Sequence, residues 1–194
     1  MKTKMLCAMC VLLGAIFLVL PGYAQDFSAD MASFSAEGSF TGKIYVSGEK
    51  SRVEMPEAVT ISRTDKKLVW VLMPNDKMYM EQPFNPRTAA STREKMDGEI
   101  ERKAEGNEKV SGRNTVKYRV IFELEGKREE VFQWIDEAAH IPVKTAAVDG
   151  SWSSEFKNIQ TGPQGGELFE IPAGYRKMTL GMPDMNDLLG AIGN

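Results

Sequence analysis

Few residues in this chain are able to do chemistry, and their spacing does not favour it. His140 is the single histidine and stands directly before Ile141-Pro142. An imidazole can serve as general acid or base, but only where a nucleophile and an orienting carboxylate converge on it. Both cysteines, Cys7 and Cys10, lie within the first 24 residues. A chain that loses that stretch has no thiol nucleophile, no disulfide and no Cys/His zinc site. Ser151, Ser153 and Ser154 lack the G-x-S-x-G setting that presents a hydrolase nucleophile. Glu99, Glu101 and Glu105 alternate among Arg102 and Lys103, which reads as a solvated strand face rather than an acid/base pair. The glycine-rich segment 162–166 lacks the strand–helix frame and the lysine of a phosphate cradle. These residues give no catalytic group, no metal site and no cofactor fingerprint, and the chain is read as non-enzymatic.

Its apolar chemistry is richer. Met73, Met78 and Met80 flank a Pro-Asn-Asp-Lys turn close to Trp70. Flexible thioethers suit a cavity that accepts variable acyl chains, and they suit ordinary core filling equally. Trp70 and Trp134 carry the same two readings, core or ligand contact.

The elements that would position these groups are strands. In the stretch 116–144, Val116, Tyr118, Val120, Phe122 and Leu124 alternate with Lys117, Arg119 and Glu123, the period of a strand with one buried face. Gly126 supplies a turn, a second strand returns through Val131, Phe132, Trp134 and Ile135, and a third begins at Ile141. Similar signals place strands near 38–46, with Phe40, Gly42, Ile44 and Val46 on one face, and near 52–55, 59–63, 78–81 and 151–160. The run 68–73 is continuously apolar, which predicts a central strand covered on both faces. Residues 99–115 read as short polar strands with turns at Glu105-Gly106-Asn107 and at 111–114. Residues 25–37 carry Phe27, Met31 and Phe34 at helical spacing and read either as a short helix or as an extended lead-in. Residues 83–98 carry two prolines and read as a loop or short helix laid across one face. Residues 168–175 look like a terminal segment docking on the domain, and 182–192 like a small helix.

The N-terminus has the form of a cleavable signal. Lys2 and Lys4 precede an apolar run from Met5 to Leu20, and small residues then lead to a cut before Gln25. The run is shorter than the ~20 residues of a membrane-spanning helix. Signal peptide 1–24 and one domain over 25–194 follow, with export to the periplasm and no span after cleavage. Of 24 basic residues Lys2 and Lys4 leave with the signal, against 27 acidic ones that stay. An acidic, well-mixed surface argues against nucleic acid and against electrostatic binding to anionic membranes.

The phrases GKIYVSGEKSRVEM (42–55), VTISRTDKKLVWVLMPNDKMYME (59–81), WIDEAAHIPVK (134–144) and LFEIPAGYRKM (168–178) together resemble the periplasmic lipoprotein-carrier-like (LolA-like) superfamily. The closest likeness is to a bacterial branch of unknown function, and it covers roughly residues 27–178. The resemblance implies a mainly β fold, a curved antiparallel sheet forming an unclosed half-barrel, with short helices or loops over the concave face. It also implies an apolar ligand, a lipid or the acyl chain of a lipoprotein, held in that cavity. Ile44, Val46, Trp70, Leu72, Met78, Met80, Phe122 and Trp134 are the expected lining. An envelope protein partner on the same concave face is the alternative. One feature departs from the carrier, whose aromatic-Val strand is followed by a basic pair including an arginine that fastens the lid. Here Tyr45-Val46 is followed by Ser47-Gly48.

Overall fold

The computed structural model describes residues 25–86 and 92–178. The signal expected over 1–24 and the helix expected over 182–192 lie outside the described residues. Period-two alternation becomes strand almost throughout: β1 (Phe27–Ser35), β2 (Gly38–Ser47), β3 (Lys50–Glu54), β4 (Val59–Arg63), β5 (Leu68–Met73), β6 (Met78–Pro83), β7 (Glu99–Val110), β8 (Arg113–Leu124), β9 (Lys127–Asp136), β10 (Ile141–Ala147), β11 (Ser153–Thr161) and β12 (Arg176–Lys177). Two 3₁₀ turns, Thr64–Lys66 and Gly166–Phe169, are the helical elements among the described residues.

The twelve strands form one sheet in the order β12-β6-β5-β4-β3-β2-β1-β11-β10-β9-β8-β7. Two antiparallel meanders, β2 to β6 and β7 to β11, are joined by β1, which pairs β2 on one side and β11 on the other. The joining strand settles the two readings of 25–37 in favour of an extended segment. Phe27, Ala29 and Met31 alternate into the core, and the helical spacing of Phe27, Met31 and Phe34 is coincidental, since Phe34 is exposed.

Because directly paired residues share a face, the register sorts the side chains. One face carries Phe27, Ala29, Met31, Ile44 and Val46 from β1 and β2. It continues through Ser51 and Ser62 of β3 and β4, and Val71 and Met80 of β5 and β6. Beyond β1 the same face takes Phe156, Thr145, Gln133, Tyr118, Val120 and Phe122. Ser51 and Ser62 line one cavity together with Phe122 and Leu124, although six strands separate β4 from β8 in the sheet. The sheet therefore curls towards this face, which is the concave side of an unclosed half-barrel. The main cluster there is Phe27, Ala29, Met31, Ile44, Val46, Ala139, Ile141 and Phe156.

Two strand expectations are corrected. Residues 99–115 are not several short strands: β7 is one strand of twelve residues. Gly106 sits at a bulge rather than a turn, with register shifts at Glu99/Glu101 and Ala104/Gly106. Such bulges bend and twist a strand without ending it, and on this edge strand they also blunt open pairing. In β5 the cover is unequal. Trp70 and Leu72 are buried, whereas Leu68, Val69, Val71 and Met73 are half-buried.

The outer face has its own core. Val59, Ile61, Trp70 and Leu72 pack with Phe169, joined by Tyr45, Tyr79, Leu168, Ile171 and Tyr175. The segment 166–178 thus docks on the domain, as its sequence predicts. It is fixed by Arg52 donating to the Leu168 carbonyl at 3.1 Å and Arg63 to the Phe169 carbonyl at 3.2 Å. Arg63 is 5% exposed and also binds Asp65 and Glu170. The hydrogen bonds it donates to Asp65 hold its guanidinium protonated, and Arg63 in turn holds the Asp65 carboxyl below the usual range. β12 then pairs in parallel with β6.

Candidate functional site

The concave face narrows to a cavity of about 110 Å³ lined by the β2–β3 turn (Gly48, Glu49), Ser51, Ser62, Phe84, Met96, Phe122 and Leu124, among others. Its walls are apolar from β8 and from the 83–98 connection, and hydroxylic from β3 and β4. Lys50, Arg93, Lys95, Glu49 and Asp97 stand around it. The volume is below the roughly 300 Å³ at which pockets begin to enclose a drug-sized ligand. It is nearer the ~150 Å³ cavity that takes one benzene ring.

The described residues of the connection, 84–86 and 92–98, border the cavity and include no helix. A polar cluster ties it down. Gln133, fully buried in the middle of β9, donates from Nε2 to the Arg93 carbonyl at 3.1 Å. Arg102 donates to the Glu94 carbonyl at 2.6 Å and to Gln133 Oε1 at 2.9 Å. Glu99 accepts from Arg102 Nε at 2.9 Å and Nη2 at 2.8 Å, and from the Met96 amide at 3.1 Å. Burial works against the Glu99 carboxylate, but the Arg102 and Met96 hydrogen bonds outweigh it and hold its pKa below the ordinary 4.5. Arg102 also stacks over Tyr118 with its guanidinium carbon 5.0 Å from the ring centre, a cation–π contact. Its Nη1 is buried with no hydrogen-bond partner among the described residues. At the loop's end Gly98 has φ +71°, and a Cβ there would stand 2.0 Å from the Glu123 carbonyl oxygen. Only glycine fits so close to β8, where the Gly98 carbonyl accepts the Glu123 amide at 2.9 Å.

Sequence reasoning missed this cluster. It read Glu99 and Arg102 together with Glu101 and Glu105 as one solvated face. The first bulge of β7 overturns that: it brings Glu99 and Arg102, three apart, to the concave side opposite Phe122 and Val120. Glu105 stays outside with Arg119. No arginine follows Val46, yet the loop is fastened by an arginine from the opposite edge of the sheet.

The eight expected lining residues do not come together. Phe122 lines the cavity. Ile44 and Val46 share its face but are fully packed in the β1–β2 core, 0% and 1% exposed. Met78 and Met80 also look to the concave side and are half-buried. Trp70 and Leu72 point to the outer face, under Phe169. Trp70 Nε1 donates to Glu81 at 3.0 Å, and Glu81 is held well below the usual range by Lys177 first and Trp70 second. Trp134 is also on the outer face, donating to Glu108 at 2.6 Å with Lys117 and Lys144 over its ring. His140 lies on an exposed turn, 2.8 Å from Glu94.

No protein-family model and no curated protein matches the sequence. Among solved structures the chain is similar to MucB in complex with the periplasmic part of MucA, at 13% identity and a TM-score of 0.50, over 81% of this chain and 58% of that one. MucB alone matches at 15% identity and 0.49, over 78% and 58%. An outer-membrane lipoprotein-sorting protein domain from Vibrio parahaemolyticus matches at 13% and 0.37, over 76% and 90%. The chain thus spans 58% of the length of MucB. Among the described residues no helix is long and apolar enough to cross a membrane. The half-barrel is LolA-like in fold, as the sequence resemblance implies.

Proposed function

We propose that this chain is a non-enzymatic binding or carrier protein of the periplasm, exported through residues 1–24. Its concave face takes the apolar part of a lipid or of a lipoprotein acyl chain. One observation carries the reading: the cavity beside Phe122, part apolar and part polar, is bordered by a loop held through polar side chains of the sheet, Arg102, Glu99 and Gln133. A cover fastened by a few hydrogen bonds can be released and remade at modest cost, unlike a segment buried in the core. At 110 Å³ the cavity admits only part of an acyl chain, so loading a whole chain requires residues 92–98 to leave Arg102. Each methylene then removed from water contributes about 0.8 kcal/mol.

The test is native against denatured mass spectrometry of protein purified from its own compartment without detergent. Mass lost on denaturation and identified as lipid supports the carrier. Replacing Phe122 by a polar residue should then empty it while the fold survives. Protein that is clean and takes up no added fatty acid or phospholipid refutes it. The second reading is an envelope interaction module that grips a partner segment. The small cavity favours it, being the size of a single anchoring side chain, and so does the likeness to a fold solved in complex with a protein partner. A co-purifying protein in place of lipid would decide for it.

A further inference from the structure

Five large apolar side chains are exposed among the described residues: Phe34 at 52%, Phe40 at 42%, Ile100 at 56%, Val148 at 37% and Trp152 at 38%. Four of them gather at one end of the sheet. Phe34 and Phe40 flank the β1–β2 hairpin, and Val148 and Trp152 flank the β10–β11 turn. The two turns are neighbours, because Phe34 pairs in register with Ser153. Scattered apolar side chains need no explanation, but a contiguous group at a tip does.

Three observations identify what covers the tip. First, Phe40 is paired with Ser33, and Phe34 with Ser39, so the two rings project from opposite faces of the hairpin. A protein partner laid on one face would leave the other ring in water, whereas immersion in an apolar medium covers both. Second, between residues 34–40 and 147–153 the ionisable side chains are Glu37 and Asp149, with no lysine or arginine. Ser151, by hydroxyl and amide, holds the Asp149 carboxyl below the usual range, so the tip is acidic and repels an anionic surface. Third, hydrogen bonds hold both turns: at the β1–β2 turn the Glu37 amide donates to Ser35 Oγ at 3.2 Å, and the β10–β11 turn is held by three. Ala147 donates to the Trp152 carbonyl at 3.0 Å, Gly150 to the Ala147 carbonyl at 3.0 Å, and Ser151 to Asp149 at 2.9 Å. Rings presented by fixed turns lose little freedom on burial, and an indole beside phenyl rings is suited to the boundary between headgroup and acyl chain.

We propose that this end of the half-barrel, Phe34, Phe40, Val148 and Trp152, is a membrane-docking tip that inserts into the interface of a zwitterionic lipid bilayer. Insertion is driven by apolar burial and not by charge. It does not depend on what the concave face holds.

The test is co-sedimentation of the exported protein with phosphatidylcholine vesicles, comparing the parent with the Phe34→Ser/Phe40→Ser double variant. The chains are otherwise identical, so any contribution of other segments cancels. The parent should bind, and the variant's partition should fall about tenfold or more, as expected for two half-exposed rings. Added salt or anionic lipid should not strengthen binding. In vesicles of brominated phosphatidylcholine the tryptophan emission should be quenched, and Trp152→Phe should remove the quenching, since Trp70 and Trp134 are buried. That second readout holds even if the double variant is less stable. Failure of the parent to bind, equal binding by a folded double variant, or binding confined to anionic vesicles would each overturn the proposal. So would quenching that survives Trp152→Phe, or self-association without vesicles that the double variant abolishes.

Discussion

Replacing Arg102 with glutamine tests whether the loop over the concave face is a latch. The guanidinium makes the Glu94, Glu99 and Gln133 contacts at once, and the Glu99 side chain is only 10% exposed. Removing one partner of a buried pair costs about 3–5 kcal/mol, because the remaining charge has no compensation. β7 is the sheet edge, so Glu99 can turn partly to water, and the lower value of about 3 kcal/mol applies. If that cost is relieved by opening the loop, opening becomes roughly 150-fold more frequent. Hydrogen exchange resolved by residue reads it directly. The amides of Met96, Glu99 and Glu123, bonded to Glu99, Met96 and Gly98, should lose about two decades of protection, while Val46 in the β1–β2 core keeps its own. The sign with pH is also set. Without Arg102, burial pushes Glu99 above its ordinary 4.5, so the variant's loop should regain protection as the solution is acidified and Glu99 is neutralised. The parent loop should lose protection under the same change. Uniform loss across the molecule, or unchanged exchange at Met96 and Glu123, would refute the latch.

Three further outcomes follow from the same contacts. Phe169→Ala should cost about 3–4 kcal/mol in urea unfolding, because Phe169 is 1% exposed among Val59, Ile61, Trp70 and Leu72; a loss below about 1 kcal/mol would mean that the 166–178 segment is not part of the core. Stability should fall in acid. Asp65 and Glu99 have folded pKa values below 3.8 and 4.5, so the unfolded chain binds more protons in that range. Their contribution is complete above about pH 5 and is lost as pH falls through the folded values; equal urea midpoints at pH 7 and 3 would contradict it. Lys177→Ala should relax Glu81 upward towards 4.5 and loosen β12 from β6, since their hydrogen bond is the main cause of the Glu81 depression; a carboxyl NMR titration that leaves Glu81 unmoved would count against it.

Local patterns carried most of the architecture. Alternation at 38–46, 59–63 and 116–124 gave strands where the sheet has them, because a half-buried strand writes its two faces into neighbouring residues. Residues 25–37 resisted, since burial there depends on β11, more than a hundred positions away. The Glu99–Arg102 pair was hidden by a bulge, one inserted residue that reverses the faces of all that follows. Composition gives no sign of where it falls.

The split of the aromatic lining is a different kind of miss. The four-residue turn 74–77 pairs Met73 with Met78, which pairs Val71 with Met80 and Leu72 with Tyr79. Trp70 and Met80 therefore cannot line one cavity, and this was readable from the turn alone. What could not be read is that both faces of β5 are worth covering. The outer one is closed by Phe169, about a hundred residues later, whose segment is gripped at its backbone carbonyls by Arg52 and Arg63. With the outer side of β4 and β5 covered by Phe169, the proposed apolar ligand is assigned to the concave side, at Phe122. The mutations that separate these roles are Trp70→Ala and Leu72→Ala, which should lower stability without emptying the cavity, against Phe122→Ser, which should empty it.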